Sequence, residues 1–204
     1  MFDDRLRPVV GRATDRVVVP FERLGVGPDL LTAIGLAVGL GAALTLALGG
    51  STVIAGLLFA ANRSFDALDG ALARRTTGSV WGGVGDQTAD VIVYVSVPIG
   101  LAVDRPELWP AVAVLCGAIA VNLVTVLAAS QPRPGGRSVA LASGWVEGAE
   151  TIAGYLVLVL VPAASPVGIW AFAAATGATA LDRLRRLRRT PSADSDGPGP
   201  PPPP

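Results

Sequence analysis

About twenty apolar residues follow the turn and helix-start signal Gly27-Pro28-Asp29 and run to Gly49-Gly50. A helix of that length crosses the ~30 Å hydrocarbon core of a bilayer. A second clean run covers Leu108 to Ala129, and a shorter one, Pro166 to Leu181, precedes the basic stretch DRLRRLRR. Three further segments are apolar over half their length. Thr52 to Ala61 is followed by NRSFDALDGALAR, Gly82 to Asp90 precedes VIVYVSVPIGLAV, and Gly144 to Thr151 precedes IAGYLVLVLVP. Each of these spans a membrane if its polar half is buried in protein, so the chain predicts an all-α bundle of six transmembrane helices. Composition agrees: 51% of residues are hydrophobic and only 5% aromatic, and the mass is carried by Ala, Val, Leu and Gly, which lets helices pack through small side chains. The single Cys116 sits in an apolar run and is read as packing.

The arginines orient this topology. Lysine and histidine are absent, and fourteen of the sixteen cationic residues fall at the termini or in loops on the side of the termini. Arg63 lies within the second span and Arg105 alone occupies an opposite loop. The positive-inside rule then places both termini in the cytoplasm, together with all three polar half-helices. The six helices are thereby expected to enclose a polar cavity open to the cytoplasm, because an ionisable group facing lipid costs roughly 2.5–3.5 kcal/mol. Residues 1–24 mix arginines, carboxylates and apolar side chains without a cleavable leader pattern. They read as a cytoplasmic interfacial helix limited by Pro8 and Pro20. Residues 25–189 form the membrane domain, and 190–204, ending in a proline run, read as a disordered tail. The basic cluster after the last span suits anionic headgroups rather than nucleic acid.

The chemistry concentrates in Asp66-Ala-Leu-Asp69-Gly70-Ala-Leu-Ala73-Arg74 and Gly82-Gly-Val-Gly-Asp86-Gln-Thr-Ala-Asp90. At helical spacing Arg63, Asp66, Asp69, Gly70, Ala73 and Arg74 share one stripe, and Gly82, Asp86 and Asp90 share another. Two antiparallel helices therefore present four carboxylates to each other. Unpaired anions at that density must be protonated or neutralised by cations, and one arginine is too little. Oxygen ligands without His or Cys select Mg²⁺, Mn²⁺ or Ca²⁺, and two ions about 3.5–4 Å apart suit a phosphoryl-transfer clamp. Gly70, Ala73 and Gly82 leave the helix faces bare for a nucleotide diphosphate, and Arg74 offers a planar donor to phosphate.

This pattern, Asp-x-x-Asp-Gly-x-x-Ala-Arg followed by Gly-x-x-x-Asp-x-x-x-Asp, resembles the signature of the CDP-alcohol phosphatidyltransferases, with every fixed position filled. The resemblance implies that two divalent cations, Mg²⁺ or Mn²⁺, are held by Asp66, Asp69, Asp86 and Asp90. Asp90 also takes the acceptor proton, and Thr32, Asp66, Gly70, Ala73, Arg74 and Gly82 bind the nucleotide. Pro28-Asp29-Leu-Leu-Thr32 is similar to the family's entry to the first helix, with Asp29 in place of Asn. Asn62-Arg63 and the stretch from Gly144 to Thr151 resemble an uncharacterised bacterial inner-membrane subgroup. The implied reaction moves a phosphatidyl group from a CDP-lipid donor such as CDP-diacylglycerol to a small alcohol acceptor with release of CMP, in a homodimer.

Outside the signature, each feature has two readings. Glu147 and Glu150 fit an acceptor site or internal partners of Arg63 or Arg137. Arg63 itself could bind an acceptor phosphate or balance Asp66, and Arg133 and Arg137 could hold an anionic acceptor or only set topology. Asn122 and Thr125 read as interhelical hydrogen-bonding groups, and Gly35-x-x-x-Gly39 as a close helix contact within one chain or between two. A metal-dependent hydrolase of CDP-lipids and a non-catalytic ion-binding or transport protein share the carboxylates. The transport reading does not require the glycines.

Overall fold

In a computed structural model, residues 14–76, 79–130, 148–161 and 165–189 are described. Among the described residues all regular secondary structure is helical, without strands. Helix α1 covers 14–23, α2 Pro28–Ala47, α3 Thr52–Arg75, α4 Val80–Asp104, α5 Trp109–Ser130 after a 3-10 turn at Pro106–Leu108, α6 Gly148–Leu160 and α7 Ser165–Arg189. Among the described residues, three stretches are long and apolar enough to cross a membrane: Pro28–Ala47, Trp81–Asp104 and Pro106–Ala128. Of the other three expected spans, α3 and α7 are long but polar toward one end, and α6 is described over 13 residues.

Local chemistry explains the boundaries. Gly27 precedes Pro28 at the first position of α2, where a missing N–H costs nothing. The chain leaves α2 through Gly49, whose φ of 64° lies in the left-handed region open to glycine. Ser51 caps α3 by accepting the Ile54 N–H, and Ser79 caps α4 by accepting the Gly82 N–H at 2.8 Å. Pro20 does not end the N-terminal helix as expected, because α1 continues to residue 23. Its Val18 is fully buried in a cluster with Leu31, Ala71 and Leu72, flanked by Phe21, so packing against α2 and α3 holds the helix past the proline. Arg75 closes the same end on Glu22 at 2.7 Å.

Helix α2 packs against α3 and α4, α5 against α7, and α3 against α6. Buried alanines such as Ala42, Ala55, Ala102 and Ala111 let the backbones approach, around a stacked aromatic centre of Phe59 and Tyr155. Large side chains that soluble proteins bury face outward here, among them Leu44, Leu57, Val124 and Val167, as suits contact with lipid. The Gly35/Gly39 pair serves contacts within the chain. A Cβ on Gly35 would lie 3.0 Å from the Phe65 Cβ, and one on Gly39 only 2.5 Å from Val93 Cγ2. Gly39→Ala is therefore expected to destabilise the bundle by about 1–3 kcal/mol through overpacking. Thermal unfolding in detergent checks this; an unchanged midpoint would mean that α2 and α4 do not pack this tightly.

The hydrogen-bonding reading of α5 holds, with an unforeseen partner. Arg183 of α7 donates through Nη1 to Asn122 Oδ1 at 2.7 Å and to Thr125 Oγ1 at 3.1 Å. One arginine of the C-terminal basic stretch thus turns inward.

Candidate active site

The N-terminus of α2, the C-terminal half of α3 and the N-terminal half of α4 meet at the end of the bundle that α1 covers. Between them runs a cleft lined by Asp29, Thr32, Asp69, Gly70, Ala73, Ser79, Gly82 and Asp86. An adjoining crevice continues between Thr32, Gly35, Asn62, Asp66, Asp69, Asp86 and Asp90. Thr32, Asp69 and Asp86 line both.

Helical spacing brings the carboxylates together. One oxygen from each of Asp66, Asp69 and Asp86 lies within 4.8 Å of the others, a grouping able to hold a metal ion. Asp69 is buried and its Oδ2 accepts from the Thr32 hydroxyl at 2.6 Å. That bond ties α2 to α3 and fixes the aspartate's rotamer. Three carboxylates this close repel unless a cation joins them, and an all-oxygen set fits Mg²⁺ or Mn²⁺.

Asp90 lines the same crevice as that trio and sits beside Asp66. Its Oδ1 accepts from Arg63 Nη2 at 2.8 Å, while Arg63 Nη1 lies 3.8 Å from Asp66 Oδ2. Arg63 is 7% exposed, and each of its nitrogens has a partner: besides Nη2, Nε donates to Asn62 Oδ1 at 2.8 Å and Nη1 to the Tyr94 hydroxyl at 3.0 Å. The guanidinium also lies 4.8 Å from the Tyr94 ring centroid and 5.8 Å from that of Phe59. Asn62 in turn donates to the Gly35 carbonyl at 2.8 Å. Of the two readings of Arg63, the geometry is that of an internal counter-charge, although its main partner is Asp90 on the next helix rather than Asp66 on its own.

The bare helix faces are where the spacing put them. A Cβ on Gly70 would meet only Arg74 Nη1, at 3.5 Å, and otherwise point into open space. Arg74 is exposed beside Gly70. Gly82 is tighter, since its Cβ would approach Asp29 Oδ1 to 2.9 Å. Among the other expected site residues, Arg133, Arg137 and Glu147 lie outside the described residues. Glu150 is half-buried in the first turn of α6 and lines neither cleft.

Sequence reasoning missed Tyr94 and Ser79. Tyr94 follows Asp90 by one helical turn, a spacing that could have flagged it. Ser79 lies immediately before a helix and could have been recognised as its cap.

The family model for CDP-alcohol phosphatidyltransferase matches residues 26–181. The inner membrane protein YnjF of Escherichia coli (strain K12) is 37% identical over 107 residues, 52% of each chain. The archaetidylinositol phosphate synthase of Pyrococcus horikoshii is 36% identical over 107 residues, 52% of this chain and 56% of that one. The alignments thus span about half the length of these curated relatives. The phosphatidylinositol phosphate synthase of Mycobacterium tuberculosis, solved with CDP-DAG bound, superimposes with a TM-score of 0.71 at 25% identity, covering 88% of this chain and 96% of that one. The same synthase in complex with manganese and citrate gives a TM-score of 0.70 at 26% identity, over 87% and 90% of the two chains. Helices apolar enough to cross a membrane and relatives of this kind mark a membrane protein, and the chain belongs to the CDP-alcohol phosphatidyltransferase family.

Proposed function

We propose that this protein transfers a phosphatidyl group from CDP-diacylglycerol to the hydroxyl of a phosphorylated polyol, releasing CMP. The observation that carries this reading is the Asp66–Asp69–Asp86 trio opening directly onto a cleft floored by Gly70 and Ala73. A cation clamp and room for a nucleotide diphosphate thus lie side by side. Family membership supports the reaction class. The synthase solved with CDP-DAG supports the donor, and the acceptor class is supported by two relatives named as archaetidylinositol phosphate synthase and phosphatidylinositol phosphate synthase.

Asp66, Asp69 and Asp86 would hold divalent cations, Mg²⁺ or Mn²⁺, with Asp90 completing a second site. Bound there, the cations supply counter-charge to the diphosphate and polarise its phosphorus. Thr32 orients Asp69 through its hydroxyl. Gly70, Ala73 and Gly82 admit the nucleotide against the backbone, and Arg74 donates to a phosphate oxygen. Asp90 accepts the proton of the acceptor hydroxyl as its oxygen bonds to the lipid-side phosphorus. The bond from that phosphorus to the bridging oxygen breaks, and the electron pair leaves with CMP. The arginine distribution supports a multi-pass protein with its termini and this cleft on the cytoplasmic side of a bacterial inner membrane. Residues 25–189 would form the catalytic domain, flanked by an interfacial segment and a disordered tail. A homodimer accords with the family.

The test is CMP release by purified protein in detergent with Mn²⁺, from CDP-diacylglycerol, against a panel of phosphorylated and neutral polyols. Release that depends on a phosphorylated acceptor supports the reading; release only with neutral alcohols would remove the acceptor class. Gly70→Val separates this reading from ion transport. The variant should fold, because the space at Gly70 is open, yet lose activity on the order of 100-fold through a misplaced nucleotide. Full activity in that variant would exclude the cleft as the nucleotide site.

A further inference from the structure

We propose that Tyr155 of α6 is a positioning residue for Asp90: its hydroxyl replaces the backbone bond that Pro98 removes from α4, and so fixes the part of that helix that carries the carboxylate. The proposal takes the role of Asp90 from the transferase reading above.

Pro98 lies inside α4. A proline has no N–H, so in an α-helix the carbonyl four residues earlier loses its partner, and the helix bends or loosens there. In this chain that carbonyl belongs to Tyr94. The Tyr155 hydroxyl donates to it at 2.6 Å, so a side chain from another helix stands in for the missing backbone donor. Tyr155 is 1% exposed and held among rings, stacked on Phe59 at 5.4 Å and edge-on to Tyr94 and Phe172 at 5.1 and 5.3 Å. Phenylalanine would keep all of those ring contacts. Only the bond to the Tyr94 carbonyl requires the hydroxyl.

The residue whose carbonyl is capped also reaches the site. Tyr94 follows Asp90 by one turn, its hydroxyl accepts from Arg63 Nη1 at 3.0 Å, and Arg63 Nη2 donates to Asp90 Oδ1 at 2.8 Å. Tyr155 thus heads a chain of contacts that passes through Tyr94 and Arg63 and ends on Asp90. Beyond the proline α4 is fixed by other means, since a Cβ on Gly100 would collide with the Ala43 carbonyl of α2. Helix α6 packs chiefly on α3 and α7, so its polar reach to α4 is a specific contact. Without that contact the turn from Asp90 to Tyr94 is free to shift, and a misplacement of about 1 Å slows a reaction step by about 100-fold.

The experiment compares the full-length wild type, Tyr155→Phe, Pro98→Ala and the combined variant in detergent. It reads kcat and donor KM for CMP release, and hydrogen exchange of α4 peptides. Tyr155→Phe should lower kcat by about tenfold with donor KM within about twofold of the wild type. Amides between Asp86 and Val97 should exchange about tenfold faster. Pro98→Ala returns an N–H to residue 98, where it can bond the Tyr94 carbonyl along the helix, and alanine suits a helix interior. Adding Tyr155→Phe to that background should therefore change neither kcat nor exchange by more than about twofold. A merely space-filling tyrosine would cause the same loss with or without the proline. Wild-type kcat in Tyr155→Phe overturns the proposal, as does a loss that persists in the combined variant or one carried by donor KM. Should Tyr155→Phe not fold, the combined variant decides: it is expected to fold and turn over as Pro98→Ala does, and failure to do so overturns the proposal. Hydrogen exchange needs no turnover. If the wild type releases no CMP, the transferase reading falls, while faster exchange in Tyr155→Phe that Pro98→Ala cancels still supports control of the Asp90 turn by Tyr155; unchanged exchange removes that as well.

Discussion

Asp69→Asn is expected to lose tight Mn²⁺ binding and to lower CMP release by more than about 100-fold, beyond what loss of a supporting group around a metal ligand usually costs. Asp69 is the buried member of the carboxylate trio, lines both the cleft and the crevice, and is fixed by the 2.6 Å bond from Thr32. Asparagine keeps the volume and one acceptor oxygen, so the helix packing around Ala71 and Leu72 should survive and the melting temperature in detergent should stay close to that of the wild type. The charge does not survive, and a hard divalent cation depends on it. Mn²⁺ titration and turnover measured on the same preparation check the prediction. Retained activity with retained Mn²⁺ binding would move the metal site away from this trio.

Asp90→Asn should behave differently. Its kcat is expected to fall by about 10²–10⁴-fold, the range for removal of a general base, while the donor KM changes little. Asp90 lines the crevice rather than the cleft that holds Gly70 and Gly82, and no donor contact is assigned to it. Asp69 and Asp90, on facing helices, would thus give distinguishable defects. Steady-state kinetics across a donor series checks this. A rise in donor KM with kcat preserved would make Asp90 a binding group and leave the acceptor proton without a receiver.

The contrast between these residues shows how far the chain could be read without its structure. The Asp and Gly positions were legible because an α-helix fixes angle by sequence separation. Asp66 and Asp69 must share a face, and a short loop must return Asp86 toward them. The close contact at Gly35 and Gly39 was legible as a contact, but its partners, Phe65 and Val93, were not. Periodicity along one helix does not name the neighbouring helix. Arg63 shows the same limit. Its separation of three residues from Asp66 pointed along α3, whereas the shorter bond runs across to Asp90, with Tyr94 and Asn62 completing the cage. The reach of a guanidinium and the choice among nearby carboxylates depend on how the helices pack. Pro20 misled for a related reason: local propensity argued for a helix end, and burial of Val18 outweighed it. The acceptor groups proposed at Arg133, Arg137 and Glu147 belong to no fixed motif, so no spacing rule joined them to the cleft.

The measurement that bears most directly on the central claim is the identity of the lipid product. Purified protein would be incubated in detergent with Mn²⁺, CDP-diacylglycerol and a phosphorylated polyol, and the lipid fraction resolved by mass spectrometry. A phosphodiester joining diacylglycerol to the polyol phosphate, formed mole for mole with CMP and absent with Asp90→Asn, is the predicted result. Phosphatidic acid formed instead, with CMP released whether or not the polyol is present, would contradict the account and make the protein a hydrolase.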